Sequence, residues 1–232
     1  MEFSFGIVTI KGNEKLLKQT IKSIEKQNIK DYEIIVVGGD EISTKNDKIY
    51  QIPFDETFHT GWLTKKKNII TKMSKYENIV YTHDYLKFEK NWYEGYLKFG
   101  NNFKVCMNKI VNKDGTRYRD WVLWPHNDNK VWNEYFTETR ECLIPYEISH
   151  LSKYMYISGA YWVAKAELMN KHQLDESLVY LDPEDVEWSQ RVREETDFKM
   201  NVFSTVKLLR QKDVAFKEAT SRTLEFLESD KY

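Results

Sequence analysis

The chain has 232 residues, 41% hydrophobic and 15% aromatic, enough to build one domain around a substantial core. Its 35 Lys and Arg residues nearly balance 36 Asp and Glu, and no tail carries a block of one sign, which excludes charge-driven nucleic-acid binding as the main function. Cys106 and Cys142 have neither metal-site spacing nor the density of a disulfide scaffold, and read as reduced thiols of a cytosolic protein.

The opening segment Met1 to Ile10 is too short, and lacks the basic region, for a signal peptide. No apolar run approaches the roughly 18 residues of a membrane span. A soluble, cytoplasmic protein is expected, with peripheral attachment to a membrane-bound partner left open.

Phe3 to Ile10 reads as a buried strand. Gly12-Asn13 then turns into a helix whose Leu17, Ile21 and Ile24 fall at helical spacing. Tyr32 to Val37 is a second strand, ending at Gly38-Gly39-Asp40. Strand, helix and strand in this order predict a parallel sheet with a right-handed crossover, and such sheets bind ligands at the carboxyl ends of their strands. Lys48 to Pro53 reads as a short strand and Leu63 to Met73 as a helix. Asn78 to Thr82 is a strand running directly into His83-Asp84-Tyr85. A helix over Asn91 to Phe99, a strand over Phe103 to Val111 and an Asp-Gly hairpin turn at Lys113 to Thr116 complete an α/β first half.

The second half is more mixed. Between Arg119 and His150 stand Trp121, Trp124, His126, Trp132, Tyr135, Phe136 and Tyr146 with little periodicity, which predicts a long ordered loop with an aromatic surface. Tyr180 to Arg193 places Asp182, Glu184 and Asp185 at the mouth of an amphipathic helix seated by Val186, Trp188 and Val192. Acidic residues opening a helix are ordinary capping chemistry, and they are equally a place for a catalytic base. Asp213 to Tyr232 reads as a charged amphipathic helix that could close a site, cap the domain or pair with a second subunit in a homodimer.

With these pieces in order the chain resembles a glycosyltransferase of the GT-A fold, most closely the family 2 type that uses nucleotide-diphosphate sugars. Thr9 leaves the first strand as in that family, and Gly38-Gly39-Asp40 stands at its acidic, base- and ribose-contacting loop. Gly61 to Asn68 resembles its glycine-to-Arg-Asn segment, with Lys67 in place of the Arg and Asn68 matching the Asn. Thr82-His83-Asp84 stands at its Asp-x-Asp metal motif. Gly159 resembles the small-residue segment lining the acceptor side, and Glu184-Asp185 the pair that carries the base.

The resemblance implies a mixed, mainly parallel sheet flanked by helices in a single domain, 1–232. Within it, 1–111 would bind the nucleotide-sugar, 112–212 would carry acceptor and catalytic residues, and 213–232 would be a helical tail. It further implies a donor, with uridine diphosphate the commonest carrier, bound by Thr9, Gly39, Asp40, Lys67, Asn68, Thr82, His83 and Asp84. A carbohydrate acceptor would meet Trp121, Trp124, Gly159 and Asp182. Asp185 would be the general base, with Glu184 beside it, and transfer would invert the anomeric centre. Mn²⁺ or Mg²⁺ would sit on Asp84, with Lys66 or Lys67 adding a cation at the diphosphate. Thr82 departs from the motif, since it replaces the first Asp with a hydroxyl and leaves Asp84 as the direct ligand. The lysine run Lys65 to Lys67 also has a plain reading as a solvated helix face, and several of the tryptophans must be core.

Two other classes compete. A sugar nucleotidyltransferase should carry a Gly-rich phosphate loop near its start, and Gly6 to Gly12 is a poor one. A non-catalytic carbohydrate-binding protein on a degenerate transferase fold would have no need of the Glu184-Asp185 pair.

Overall fold

The computed structural model describes residues 1–123, 142–148, 154–212 and 217–228. The first half supplies β1 (Phe3–Val8), α1 (Glu14–Glu25), β2 (Tyr32–Val37), β3 (Ile49–Ile52), α2 (Leu63–Met73), β4 (Asn78–His83), β5 (Leu86–Phe88), α3 (Trp92–Phe99) and β6 (Val105–Val111). The second supplies β7 (Val122–Leu123), β8 (Cys142–Leu143), β9 (Met155–Tyr156), β10 (Tyr161–Lys165), α4 (Ala166–Lys171), α5 (Glu184–Val192), β11 (Phe198–Leu208), β12 (Lys217–Glu218) and α6 (Ser221–Glu228).

Among the described residues, eight strands form one sheet in the order β3-β2-β1-β4-β10-β6-β11-β5. The pairs β3/β2, β2/β1, β1/β4 and β6/β11 are parallel, whereas β10 runs antiparallel between β4 and β6 and β5 antiparallel beside β11. This is the mixed, mainly parallel sheet with flanking helices that the resemblance implies. Strands β1, β2 and β4 are buried almost throughout, without alternation, because helices cover both faces of the sheet. Strands from the second half are interleaved with those of the first, so stretches 1–111 and 112–212 share one sheet.

An aromatic cluster fixes the packing at the start of β1. Phe3 meets Trp92 edge-on at 5.1 Å, Phe5 meets Phe88 at 5.4 Å, and the Trp92 indole N–H donates to the buried Tyr161 hydroxyl at 2.9 Å. Strand β10 is five buried residues, too short to separate from helix by periodicity, and β5 is shorter still.

Two expectations are corrected. The described parts of 119–150 include β7 and β8, which join β9 and β12 in a second, four-stranded sheet, so this stretch is not simply a long loop. The described part of the tail is not one continuous helix either, since β12 precedes α6. Both cysteines are buried and in no disulfide. Among the described residues no helix is long and apolar enough to cross a membrane.

Candidate active site

Four segments leave the sheet at its carboxyl edge: Thr9 after β1, Gly38-Gly39-Asp40 after β2, Pro53 after β3 and Asp84 after β4. They crowd together for specific reasons. Gly38 has φ 89°, and a Cβ there would lie 2.6 Å from the Thr9 carbonyl oxygen and 3.0 Å from Lys66 Nζ, so only glycine allows this approach. Asp40 accepts the Gly12 N–H at 2.8 Å and ties the β1 and β2 loops. A cavity of about 750 Å³ opens beside them, lined by Ile10, Lys11, Phe54, Asp55, Glu56 and Thr60 among others.

Helix α2 connects this cavity to the acidic helix start. Consecutive side chains on a helix diverge by about 100°, and the two buried lysines point to different partners. Lys66 donates to the Thr9 carbonyl at 2.8 Å and pairs with Glu56 of the cavity wall. Lys67 donates to the Gly159 carbonyl at 3.1 Å and pairs with Glu184 at 3.0 Å, its ammonium 4.5 Å from the Trp162 ring centre. The solvated-face reading of the run is therefore wrong for both. Helix α2 also fastens the loop leading to α5. Trp62, Thr64 and Asn68 donate to the Glu176, Leu178 and Leu174 carbonyls at 2.8–2.9 Å.

At the start of α5, Glu184 and Asp185 turn toward Gly159. Asp185 Oδ2 accepts the Gly159 N–H at 2.8 Å and Oδ1 accepts the Val186 N–H at 2.9 Å. Ser189 locks the helix to the β9 exit, accepting the Ile157 N–H at 2.9 Å and donating to the Asp185 carbonyl at 2.6 Å. A Cβ on Gly159 would fall 2.8 Å from Asp185 Oδ2, so this glycine makes room for the carboxylates. Burial, and after it the Glu184 charge, raise the Asp185 carboxyl from 3.8 to about 6, with Lys67 and the two N–H bonds opposing them. No side chain caps the N-terminus of α5. Asp182 instead closes a turn by accepting the Val179 N–H at 2.8 Å.

Asp84 is 3% exposed, and its Oδ2 accepts from both Thr9 Oγ1 (2.6 Å) and Asn13 Nδ2 (2.9 Å). Burial raises its carboxyl despite these bonds. Thr82 is buried and donates to the His83 carbonyl at 3.2 Å. Burial and the positive charges of Lys67 and Lys212 hold the His83 imidazole well below its ordinary range, so it is neutral at pH 7 and offers no further cation. These residues are a poor fit to a divalent metal. Asp84 leaves one oxygen without a hydrogen bond, Thr82 adds no charge, and among the described residues no three His, Cys, Asp or Glu side chains converge in a way that could hold an ion.

The structure thus brings Lys67, Gly159, Glu184 and Asp185 together, and Thr9, Gly39, Asp40, Thr82, His83 and Asp84 at the neighbouring sheet edge. Asn68, expected at the donor, is buried and holds Leu174 through both its amide atoms. Trp121, expected at the acceptor, is fully buried with its indole N–H on the Ile148 carbonyl at 2.9 Å, which makes it a core residue. Trp124 lies outside the described residues. Sequence reasoning missed Arg210 and Lys212, which flank the site from the end of β11. Their signal was weak, since two basic residues after an unrecognised strand look like any polar turn.

No protein-family model matches the chain, and comparison with curated proteins gives no match. Solved structures do match in shape. GalNAc-T7 with UDP, GalNAc and Mn²⁺ is similar at a TM-score of 0.63 and 14% identity, over 98% of this chain and 47% of that one. TarS residues 1–349 of S. aureus is similar at a TM-score of 0.53 and 15% identity, over 98% of this chain and 63% of that one. The same protein in complex with UDP-GlcNAc gives 0.56 and 15%, over 92% and 60%. The chain spans less than two thirds of the length of each. What it shares with them is architecture, and on that ground the chain has a GT-A-like fold.

Proposed function

We propose that the protein is a glycosyltransferase that moves a sugar from a nucleotide-diphosphate donor, a UDP-sugar, to a hydroxyl of a carbohydrate acceptor with inversion. The observation that carries this reading is the Asp185 carboxylate, fixed by Gly159 and Val186 and raised to about 6 beside the Lys67–Glu184 pair. A base raised this far is ionised at neutral pH yet basic enough to draw a proton from a hydroxyl as it attacks. The GT-A-like fold supports the donor class, since the similar structures include ones containing UDP and UDP-GlcNAc.

The nucleoside is assigned to the cavity lined by Ile10, Phe54 and Asp55, beside Thr9 and Gly39. The donor's anomeric carbon would then face Gly159 and the start of α5. The acceptor oxygen attacks that carbon from the side opposite the diphosphate and Asp185 removes its proton. The anomeric C–O bond breaks, with its electron pair leaving on the β-phosphate oxygen. Lys67 holds Glu184 and the Gly159 carbonyl together and so orients Asp185. It is already ion-paired, as is Lys66, so neither is the free cation at the diphosphate. Because the donor set around Asp84 does not fit a metal, no step is assigned to one.

Thermal unfolding in the presence of UDP, GDP, CDP and TDP tests the donor class, because a ligand that binds only the folded state must raise its stability. The expected result is a shift with UDP. No shift with any of the four in a folded sample would instead favour a carbohydrate-binding protein.

A further inference from the structure

We propose that Arg210 and Lys212 take the place of a divalent metal in holding the diphosphate of the donor, an inference that rests on the nucleotide-sugar reading above. Beyond β11 the Leu209 N–H donates to the Tyr85 carbonyl at 2.8 Å, which pins the next residues beside Thr82-His83-Asp84. The Arg210 guanidinium lies 4.3 Å and the Lys212 ammonium 4.4 Å from the Tyr85 ring centre, and Lys212 Nζ donates to the Tyr85 hydroxyl at 3.0 Å. That ring in turn lies 5.2 Å from His83. Both cations therefore stand at the sheet edge where the motif's metal would be expected.

Asp84 lies within reach of the Arg210 charge without forming an ion pair with it. Among the described residues neither Arg210 nor Lys212 pairs with a carboxylate, whereas Lys66, Lys67, Lys165 and Arg117 all do. Burial, then Arg210 and Arg119, press the Lys212 ammonium down to about 8. Cations brought this close repel one another unless an anion joins them, and they repel a dication for the same reason. Asp84 is a single carboxylate already engaged by Thr9 and Asn13, and Thr82 removes the second charge a metal would use.

A diphosphate matches what remains. Arg210 offers a planar fork of donors and Lys212 a compact ammonium, and both suit phosphate oxygens. In the transfer the anomeric C–O bond breaks and its electron pair goes to the β-phosphate oxygen. The acceptor oxygen bonds the carbon and its proton passes to Asp185. The charge that grows on the diphosphate is the charge these two side chains would receive.

The test is calorimetric titration of the parent, R210A and K212M with UDP and with uridine, each in EDTA and in Mn²⁺, with melting curves to establish folding. We expect the parent to bind UDP in EDTA as tightly as in Mn²⁺. Each variant should lose about tenfold in UDP affinity, the order expected for a charged hydrogen bond, with uridine affinity unchanged. K212R should recover most of the loss. UDP binding that requires Mn²⁺, or variants that bind UDP like the parent, would overturn this inference and leave the donor reading standing. No binding of UDP or uridine under either condition would overturn both.

Discussion

Replacing Asp185 with Asn keeps the shape and removes the charge, and its effects on stability and activity should diverge with pH. Both carboxylate oxygens accept backbone N–H bonds, from Gly159 at 2.8 Å and Val186 at 2.9 Å. An amide can accept only one of them, and leaving the other N–H without a partner costs about 1–3 kcal/mol at every pH. Against this, holding the carboxyl near 6 instead of 3.8 costs the folded parent about 3 kcal/mol once it is ionised. A carboxyl with a raised pKa binds its proton more tightly in the folded than in the unfolded chain. The penalty is thus absent below 3.8, grows between 3.8 and about 6, and is complete above that. The variant never bears it. Its melting temperature relative to the parent should therefore climb by about 6–12 °C between acid and mildly alkaline buffer, at roughly 2–4 °C per kcal/mol for a chain of this size. Transfer by the same variant should fall about 10²- to 10⁴-fold. Melting curves of both proteins across this range provide the assay. A melting-temperature difference that does not change with pH would refute the burial argument for Asp185.

Further outcomes follow from the same contacts. For the parent, kcat/KM should fall on acidification below about 6, as Asp185 takes up a proton and ceases to act as a base; a profile flat through that region counts against it. Gly159→Ala places a methyl 2.8 Å from Asp185 Oδ2 and should lower turnover at least about tenfold by displacing the carboxylate, with a stability loss of about 1–3 kcal/mol because the Gly159 N–H loses its partner. Lys67→Met leaves a largely buried Glu184 unpaired and should cost about 3–5 kcal/mol in urea unfolding, with much of the loss recovered when Glu184→Gln is added. Trp121→Ala should cost about 3–5 kcal/mol through the cavity it leaves, and acceptor KM in the surviving folded protein should not move.

The first half was legible because its elements are long and strongly patterned. Tyr32–Val37 and Leu63–Met73 have the bounds their residues suggest, and strand, helix and strand imply the parallel order of β1 and β2. The antiparallel β10 and the bulged β11 were not, because five buried residues or an interrupted alternation do not identify a strand without its neighbours. At the site, the acidic start of α5 and Gly159 were visible as residue types, but their contact depends on α2 holding the 174–178 loop, a long-range arrangement with no local pattern. Lys67 was read as a donor cation and is held by Glu184, because sequence does not show which carboxylate a lysine will meet. Trp121 looked like a surface platform only because aromatic composition is blind to burial.

Release of UDP from UDP-GlcNAc and UDP-GalNAc, in the presence of a panel of sugar acceptors, by the parent and by D185N is the most direct test. The expected result is turnover by the parent with at least one donor, and loss of at least about 10²-fold in D185N with donor affinity unchanged. Equal release by the two proteins would remove Asp185 as the base. Donor binding with no release by the parent would contradict transferase function itself.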